Sequence, residues 1–242
     1  MRHRADLGRY YKGIAIHAAP LVHEQAFLLL TRFLPTGSTV LELGAGSGAF
    51  AARLYDHGYR VEAADLDLSD WKPNHVRAMQ VDLNAPMWEP LHLKRYACVA
   101  ALEVIEHLHS PLSFLRNVRK LLEPGGLFLM TTPNVTDLDS RRLMLTKGEF
   151  WAFRRGMLSA TGHLSILPFW LLEELFTQER LAVVERRFIG KRQRPGWHKA
   201  IVPLVNLCLL PLAYRLPLET AFAECVAYAC TAVDSVHQGA NA

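Results

Sequence analysis

The chain has 242 residues, of which 50% are hydrophobic and 21% charged, and its 27 lysines and arginines against 23 acids give a net charge of +4. That length supports one sizeable core, and that balance is ordinary for a globular protein, so neither a disordered chain nor a strongly basic DNA-binding domain is indicated. Four cysteines, Cys98, Cys208, Cys225 and Cys230, lie in apolar surroundings with no CxxC pair, which argues against a zinc site and for buried free thiols in a reducing cytosol.

The N-terminus, Met1-Arg-His-Arg, has no adjoining apolar stretch of the kind a secretory leader carries. Pro20 to Leu34 has helical length, with proline at its start and Pro35 beyond its end. Alternating elements follow: a strand at 39–43, a helix at about 48–57, strands at 60–65, 78–82 and 97–102, a helix at 111–122 and a strand at 127–132. Such alternation predicts a parallel sheet with right-handed crossovers. The connections 66–77 and 84–95 are short and hold Pro73, Pro86 and Pro90, so their helices are expected to be stunted. Residues 133–168 interrupt the alternation with Arg141, Arg142, Lys147, Arg154 and Arg155 among Phe150, Trp151 and Phe153. A helix at Phe169–Phe176, a strand at Leu181–Ile189 and a last strand at Ala223–Ala232 complete the chain.

The most informative stretch is Val40-Leu-Glu-Leu-Gly-Ala-Gly-Ser-Gly-Ala-Phe50, a buried strand, a glycine-rich turn and the start of a helix. Gly44, Gly46 and Gly48 let main chain bend sharply and let a ligand approach it, next to the free N–H groups of a helix N-terminus. The turn alone also fits a dinucleotide fingerprint. Glu42 shifts the reading, because a carboxylate repels phosphates and suits a ligand with a positive centre, such as S-adenosylmethionine. Asp65 closes the second strand where ribose hydroxyls would lie, and Asp82-Leu83-Asn84 closes the third with a carboxylate suited to an adenine amino group.

With VEAADLD, VDLN, ALEVIEHL and LLEPGGLFLMTTPN at their places in the order, the chain resembles the class I S-adenosylmethionine-dependent methyltransferases over residues 36–190. Within them it is similar to the ubiquinone-pathway O-methyltransferases and the methyltransferases of surface-glycan clusters. The resemblance implies an α/β fold: a doubly wound, mainly parallel, seven-stranded Rossmann-like sheet whose last strand is antiparallel. It implies one domain over 1–242, with an N-terminal helical cap (1–35), a cofactor-binding half (36–132), a substrate lid (133–168) and a C-terminal half (169–242). Glu42, Gly44, Ala45, Gly46, Gly48, Asp65, Leu66, Asp82, Leu83 and Leu102 are the expected cofactor residues.

Ligands of open α/β sheets bind beyond the carboxyl ends of strands, where Glu103, Glu106 and His107 follow the fourth strand. Imidazole titrates near neutrality, which makes His107 the candidate general base. The spacing Glu103-x-x-Glu106-His107 would set all three on one face of a helical turn. The motif resembles the ExxEH metal site of small-RNA 2′-O-methyltransferases, and His163 after the lid would complete a magnesium or manganese site of Glu103, Glu106, His107 and His163. The catalytic candidates are therefore His107, Glu106 and His163. His17, His23, His57, His75 and His92 read as surface or helix-face residues, and Tyr10 and Tyr11 as residues able to close over the cofactor.

Between Arg186 and Lys199 stand six lysines or arginines and no acid, followed by the apolar run Ile201–Tyr214. That run falls short of the roughly 20 residues of a membrane span, and packing against the sheet competes with docking on an anionic membrane surface. The expectation is a cytoplasmic O-methyltransferase, with peripheral contact at the inner membrane face as a variant. Its acceptor would be a small molecule, a sugar or a lipid-linked intermediate, and not DNA. RNA 2′-O-methylation and a non-catalytic cofactor-binding scaffold are the alternatives.

Overall fold

A computed structural model describes residues 9–86, 88, 91, 94–190 and 218–233. The basic cluster at 191–199, the apolar run at 201–214 and Cys208 lie outside the described residues.

A short antiparallel hairpin, β1 (Tyr10–Tyr11) with β2 (Ile14–Ala15), precedes helix α1 (Val22–Leu30). The Rossmann-like core then runs β3 (Thr39–Leu43), α2 (Ala49–Asp56), β4 (Arg60–Asp65), β5 (Arg77–Gln80), β6 (Tyr96–Leu102), α3 (Pro111–Leu121) and β7 (Leu122–Pro133). After β7 come α4 (Leu138–Lys147), a 3-10 turn (Trp151–Phe153), α5 (Met157–Thr161), α6 (Phe169–Gln178), β8 (Leu181–Ile189), a short helix (Leu218–Phe222) and β9 (Cys225–Ala232). The sheet has seven strands in the order β5-β4-β3-β6-β7-β9-β8. Strands β3 to β7 pair in parallel, and β9 runs antiparallel between β7 and β8. The last strand is antiparallel, as the resemblance implies.

Strand residues alternate between two cores, as the two-residue period of a pleated strand requires. Along β6, Cys98, Ala100 and Leu102 pack with α1 and α2 on one face, through Ala26, Leu29, Leu30, Phe50 and Leu54. Val99 and Ala101 pack on the other with α3 and α6, through Phe114, Val118, Leu172 and Phe176. Both sheet faces are covered, so the central strands carry apolar runs in place of polar alternation. Helix α3 starts where it does because Ser110 caps it, its side chain accepting from Ser113 N, with Pro111 in the first turn.

The connection 66–77 forms turns without a helix, as its proline predicts. Strand β5 ends at Gln80, two residues before Asp82, which instead opens a turn whose Asn84 N–H its side chain accepts at 2.8 Å. Cys98, Cys225 and Cys230 are buried free thiols. Among the described residues no helix is long and apolar enough to cross a membrane.

Candidate functional site

Beyond the carboxyl ends of β3, β6 and β7 lies a cavity of about 580 Å³. The glycine-rich turn forms one wall, and its three glycines all have positive φ, at 66°, 53° and 85° for Gly44, Gly46 and Gly48. Their missing side chains serve different ends. A Cβ on Gly44 would stand 2.5 Å from Val104 Cγ2, and one on Gly48 would stand 2.5 Å from the Pro73 ring, so both are close-packing positions. A Cβ on Gly46 would meet nothing nearer than His17 Cδ2 at 3.9 Å, so of the three only this position leaves open space where a side chain would stand. The Gly46 N–H donates to Asp65 Oδ2 at 2.7 Å, tying the turn to the end of β4.

Glu42 lies in the same wall, 3% exposed, and its Oε2 has no hydrogen-bond partner among the described residues. Burial pushes its carboxyl up to about 8; the Ala51 N–H opposes that rise and the Asp65 charge adds to it. A buried carboxyl with an unused oxygen facing a cavity is suited to a ligand bringing N–H or O–H donors or positive charge. His23, on α1, faces the same space with Nδ1 unpartnered among the described residues. Burial, then the charges of Arg53 and His17, hold its pKa down to about 3, so it is a neutral imidazole.

The far wall is the turn after β6. Glu103 has a left-handed backbone, φ 55°, and its N–H donates to both the carbonyl and the hydroxyl oxygen of Thr131, each at 3.1 Å. A non-glycine residue in that region stores strain that its surroundings must hold. Cys225 Sγ donates to Glu103 Oε2 at 3.5 Å, and burial raises the Glu103 carboxyl to about 7. Glu106 is fully buried; Thr132 Oγ1 donates to its Oε2 at 3.0 Å, and burial followed by the Glu103 charge holds its pKa well above the carboxylate range. The Glu106 carbonyl accepts from Leu164 N and Ser165 N at 2.8 and 2.9 Å, which pins the end of the 133–168 insertion to this turn.

That pinning brings His163 beside His107, with ring centroids 4.9 Å apart. Nδ1 of His163 donates to the Ala152 carbonyl at 2.8 Å, which leaves Nε2 as the acceptor nitrogen. Nε2 of His107 stands 4.0 Å from Glu106 Oε1, and burial followed by the His163 charge lowers the His107 pKa. Ligand atoms of Glu106, His107 and His163 all lie within 4.8 Å of one another. Glu103 stands apart from this trio, contrary to the expectation of one shared helical face. The 3-10 turn begins only at Ile105, and the left-handed backbone at Glu103 turns its carboxylate toward Cys225.

Of the expected cofactor residues, Glu42, Gly44, Ala45, Gly46 and Leu102 line the cavity. Gly48 packs behind the turn, Asp65 braces it, Leu66 is exposed, Asp82 lies in an exposed turn and Leu83 is buried in the core. Sequence reasoning missed His17, His23, Asn134, Glu224 and Cys225, all in the cavity wall. Tyr11 does not close over the cavity; its hydroxyl donates to Asp56 on α2 at 2.9 Å.

Residues 17–185 match a family described as a methyltransferase domain. The ubiquinone biosynthesis O-methyltransferase of Coxiella burnetii is 29% identical over 104 residues, covering 40% of this chain and 44% of that protein. The protein of the same name from Xanthomonas axonopodis pv. citri is 30% identical over 112 residues, 43% of this chain and 47% of its own. The matched stretch thus spans less than half the length of these relatives. Two solved structures share the fold. A SAM-dependent methyltransferase from Archaeoglobus fulgidus has a TM-score of 0.57 at 15% identity, covering 86% of this chain and 94% of its own. The N-methyltransferase NodS of Bradyrhizobium japonicum with S-adenosyl-L-homocysteine has a TM-score of 0.52 at 17% identity, covering 88% and 86%.

Proposed function

The chain belongs to the methyltransferase domain family, and from that premise we propose that it is an S-adenosylmethionine-dependent O-methyltransferase with a small-molecule, sugar or lipid-linked acceptor. The observation that carries the acceptor chemistry is the pair His107 and His163 in the wall of a cavity that also holds Glu42 and Gly46, with the buried Glu106 close behind both imidazoles.

The residues present fit this cofactor. Glu42 offers an unused buried oxygen to a ligand with positive charge, and the space over Gly46 admits a ligand against main chain. Asp65 retains lone pairs for ribose hydroxyls after accepting from Gly46 N and Asp67 N. When bound, S-adenosylmethionine supplies a methyl group already activated on a sulfonium.

The protein's own work is then to hold the acceptor hydroxyl and take its proton. His107 is suited to that task, because a lowered pKa keeps it neutral and accepting near pH 7. His163 presents Nε2 because its other nitrogen is committed to Ala152. Trp151 and Met157 of the 133–168 insertion form part of the cavity wall.

The trio also fits a divalent cation, since Glu106 Oε1 has no hydrogen-bond partner among the described residues and the His163–Ala152 bond is of the kind that orients a metal-bound imidazole. Two imidazoles and one carboxylate suit manganese better than magnesium, which prefers an all-oxygen shell. A cation there would lower the pKa of a bound hydroxyl.

Chelation tests this arrangement. Turnover should be lost while S-adenosylmethionine binding by titration calorimetry is retained, and manganese should restore it better than magnesium. With His107 as a metal-free base, chelator has no effect and His107→Ala costs roughly 10²–10⁴ in rate. Full activity of both His107→Ala and His163→Ala would sink the assignment of this turn to the acceptor.

A further inference from the structure

A second depression, of about 440 Å³, opens on the outer side of the lid between α4 and α5. His163 lines both this groove and the main cavity, so the two share that side chain as a common wall. Lys147, Arg154 and Arg155 line the groove against one carboxylate, Glu149, which Arg155 already faces at 3.5 Å.

Arg154 is the fixed element of this wall. Its guanidinium lies 4.1 Å from the centre of the Trp151 ring, and Trp151 forms part of the main cavity. Its Nε is buried and has no hydrogen-bond partner among the described residues. A guanidinium stacked on an aromatic ring loses little freedom when it grips an oxyanion in bidentate fashion. The rest of the groove is apolar and exposed: Leu158 at 60%, Leu164 at 44% and Ile166 at 42% exposure line it. Leu145 of α4 adds another exposed apolar side chain at 69%. Exposed aliphatic side chains beside clustered cations match a ligand that is anionic at one point and apolar beyond it.

We infer that this groove is a second acceptor subsite, which binds a phosphate group carried by the acceptor through Arg154 and Lys147 and lays an attached alkyl portion along Leu158 and Ile166. The inference rests on the methyl-transfer reading for what the main cavity does, but it concerns binding alone. The acceptor class it names is an amphiphilic phosphate ester whose hydroxyl reaches His107 and His163 through the shared wall.

Titration calorimetry with the full chain tests it without turnover. The probes are inorganic phosphate, an alkyl phosphate below its micelle concentration, a neutral alkyl glucoside of equal chain length, and a short RNA oligonucleotide. The alkyl phosphate should bind at least about tenfold more tightly than each of the others, as a charged contact and apolar burial act together. Arg154→Gln should remove that advantage and Arg154→Lys should recover part of it, while S-adenosylmethionine affinity stays unchanged in both. Glucoside binding as strong as alkyl phosphate binding overturns the anion contact, and equal binding of inorganic phosphate overturns the apolar contact. RNA binding tightest of the four assigns the groove to a nucleic acid and overturns the inference. Loss of S-adenosylmethionine binding by the parent protein would count against methyl transfer alone, because the four probes read the groove directly.

Discussion

Glu42 is the residue on which cofactor binding turns. It is buried with one oxygen unused, and its carboxyl is raised to about 8, so near pH 7 it is largely protonated until a ligand brings compensating charge or donors. Glu42→Gln keeps shape and volume and removes only the capacity to ionise. It should weaken S-adenosylmethionine binding by roughly 1–3 kcal/mol in calorimetry, the scale for a buried group left badly paired. Unchanged affinity would mean that the ligand's positive centre does not meet this side chain. Glu42 was legible in the sequence because it follows a strict offset from the glycines on a strand. His23 was not: a histidine on an amphipathic helix carries no mark of what it faces, and only the packing of α1 beside the turn turns it into the cavity. Asp82 shows the converse. The carboxylate was visible, but β5 ends at Gln80, and a strand boundary is set by pairing with β4, which the local sequence does not encode.

At the scale of elements, strands and major helices followed from apolar runs and caps, because those signals are local. Two turns did not, since their conformations depend on contacts from elsewhere. Glu103 sits at φ 55° with its N–H held by Thr131 on β7, and its carboxylate meets Cys225 and not His107 or His163. The glycine-rich turn was recognisable as a unit, but the separate duties of its glycines were hidden. Those duties give opposed expectations. Gly46→Ala places its Cβ in open space, so the fold should lose only the roughly 1–2 kcal/mol that a left-handed non-glycine costs, while S-adenosylmethionine affinity falls sharply. Gly48→Ala drives a Cβ to 2.5 Å from Pro73 and 2.8 Å from Trp71, two rigid rings, and adds overpacking of roughly 1–3 kcal/mol to the same backbone cost. Denaturant unfolding and calorimetry on both variants separate the two. Equal loss of stability in both would show that the turn acts only as a packing motif.

For the whole molecule, the sheet order brings together residues that sequence distance conceals. Strand β9 inserts between β7 and β8, which carries Glu224 and Cys225 into a cavity otherwise built from the first two-thirds of the chain. Several protonated acids then share one buried region: Glu42 raised to about 8, Glu103 to about 7 and Glu106 well above the ordinary range. In the unfolded chain these carboxyls titrate near 4.5. Between that value and about 8 the folded protein therefore holds more protons than the unfolded one, and stability must fall as pH rises. His23 acts in the opposite sense on the acid side, because a folded pKa near 3 costs stability as pH falls below its ordinary 6.5. Three raised acids outweigh two depressed histidines, His23 and His107, so the cofactor-free protein should lose stability from about pH 5 to about pH 8, most steeply above the ordinary histidine range. Glu42→Gln should flatten part of that decline. Saturating S-adenosylmethionine should flatten it too, since a cationic ligand favours the ionised Glu42. Denaturant midpoints at fixed ionic strength measure each curve. Stability that stays level or rises across this range would show that these carboxyls are ionised in the folded protein, and the cavity would then favour cations even before its ligand arrives.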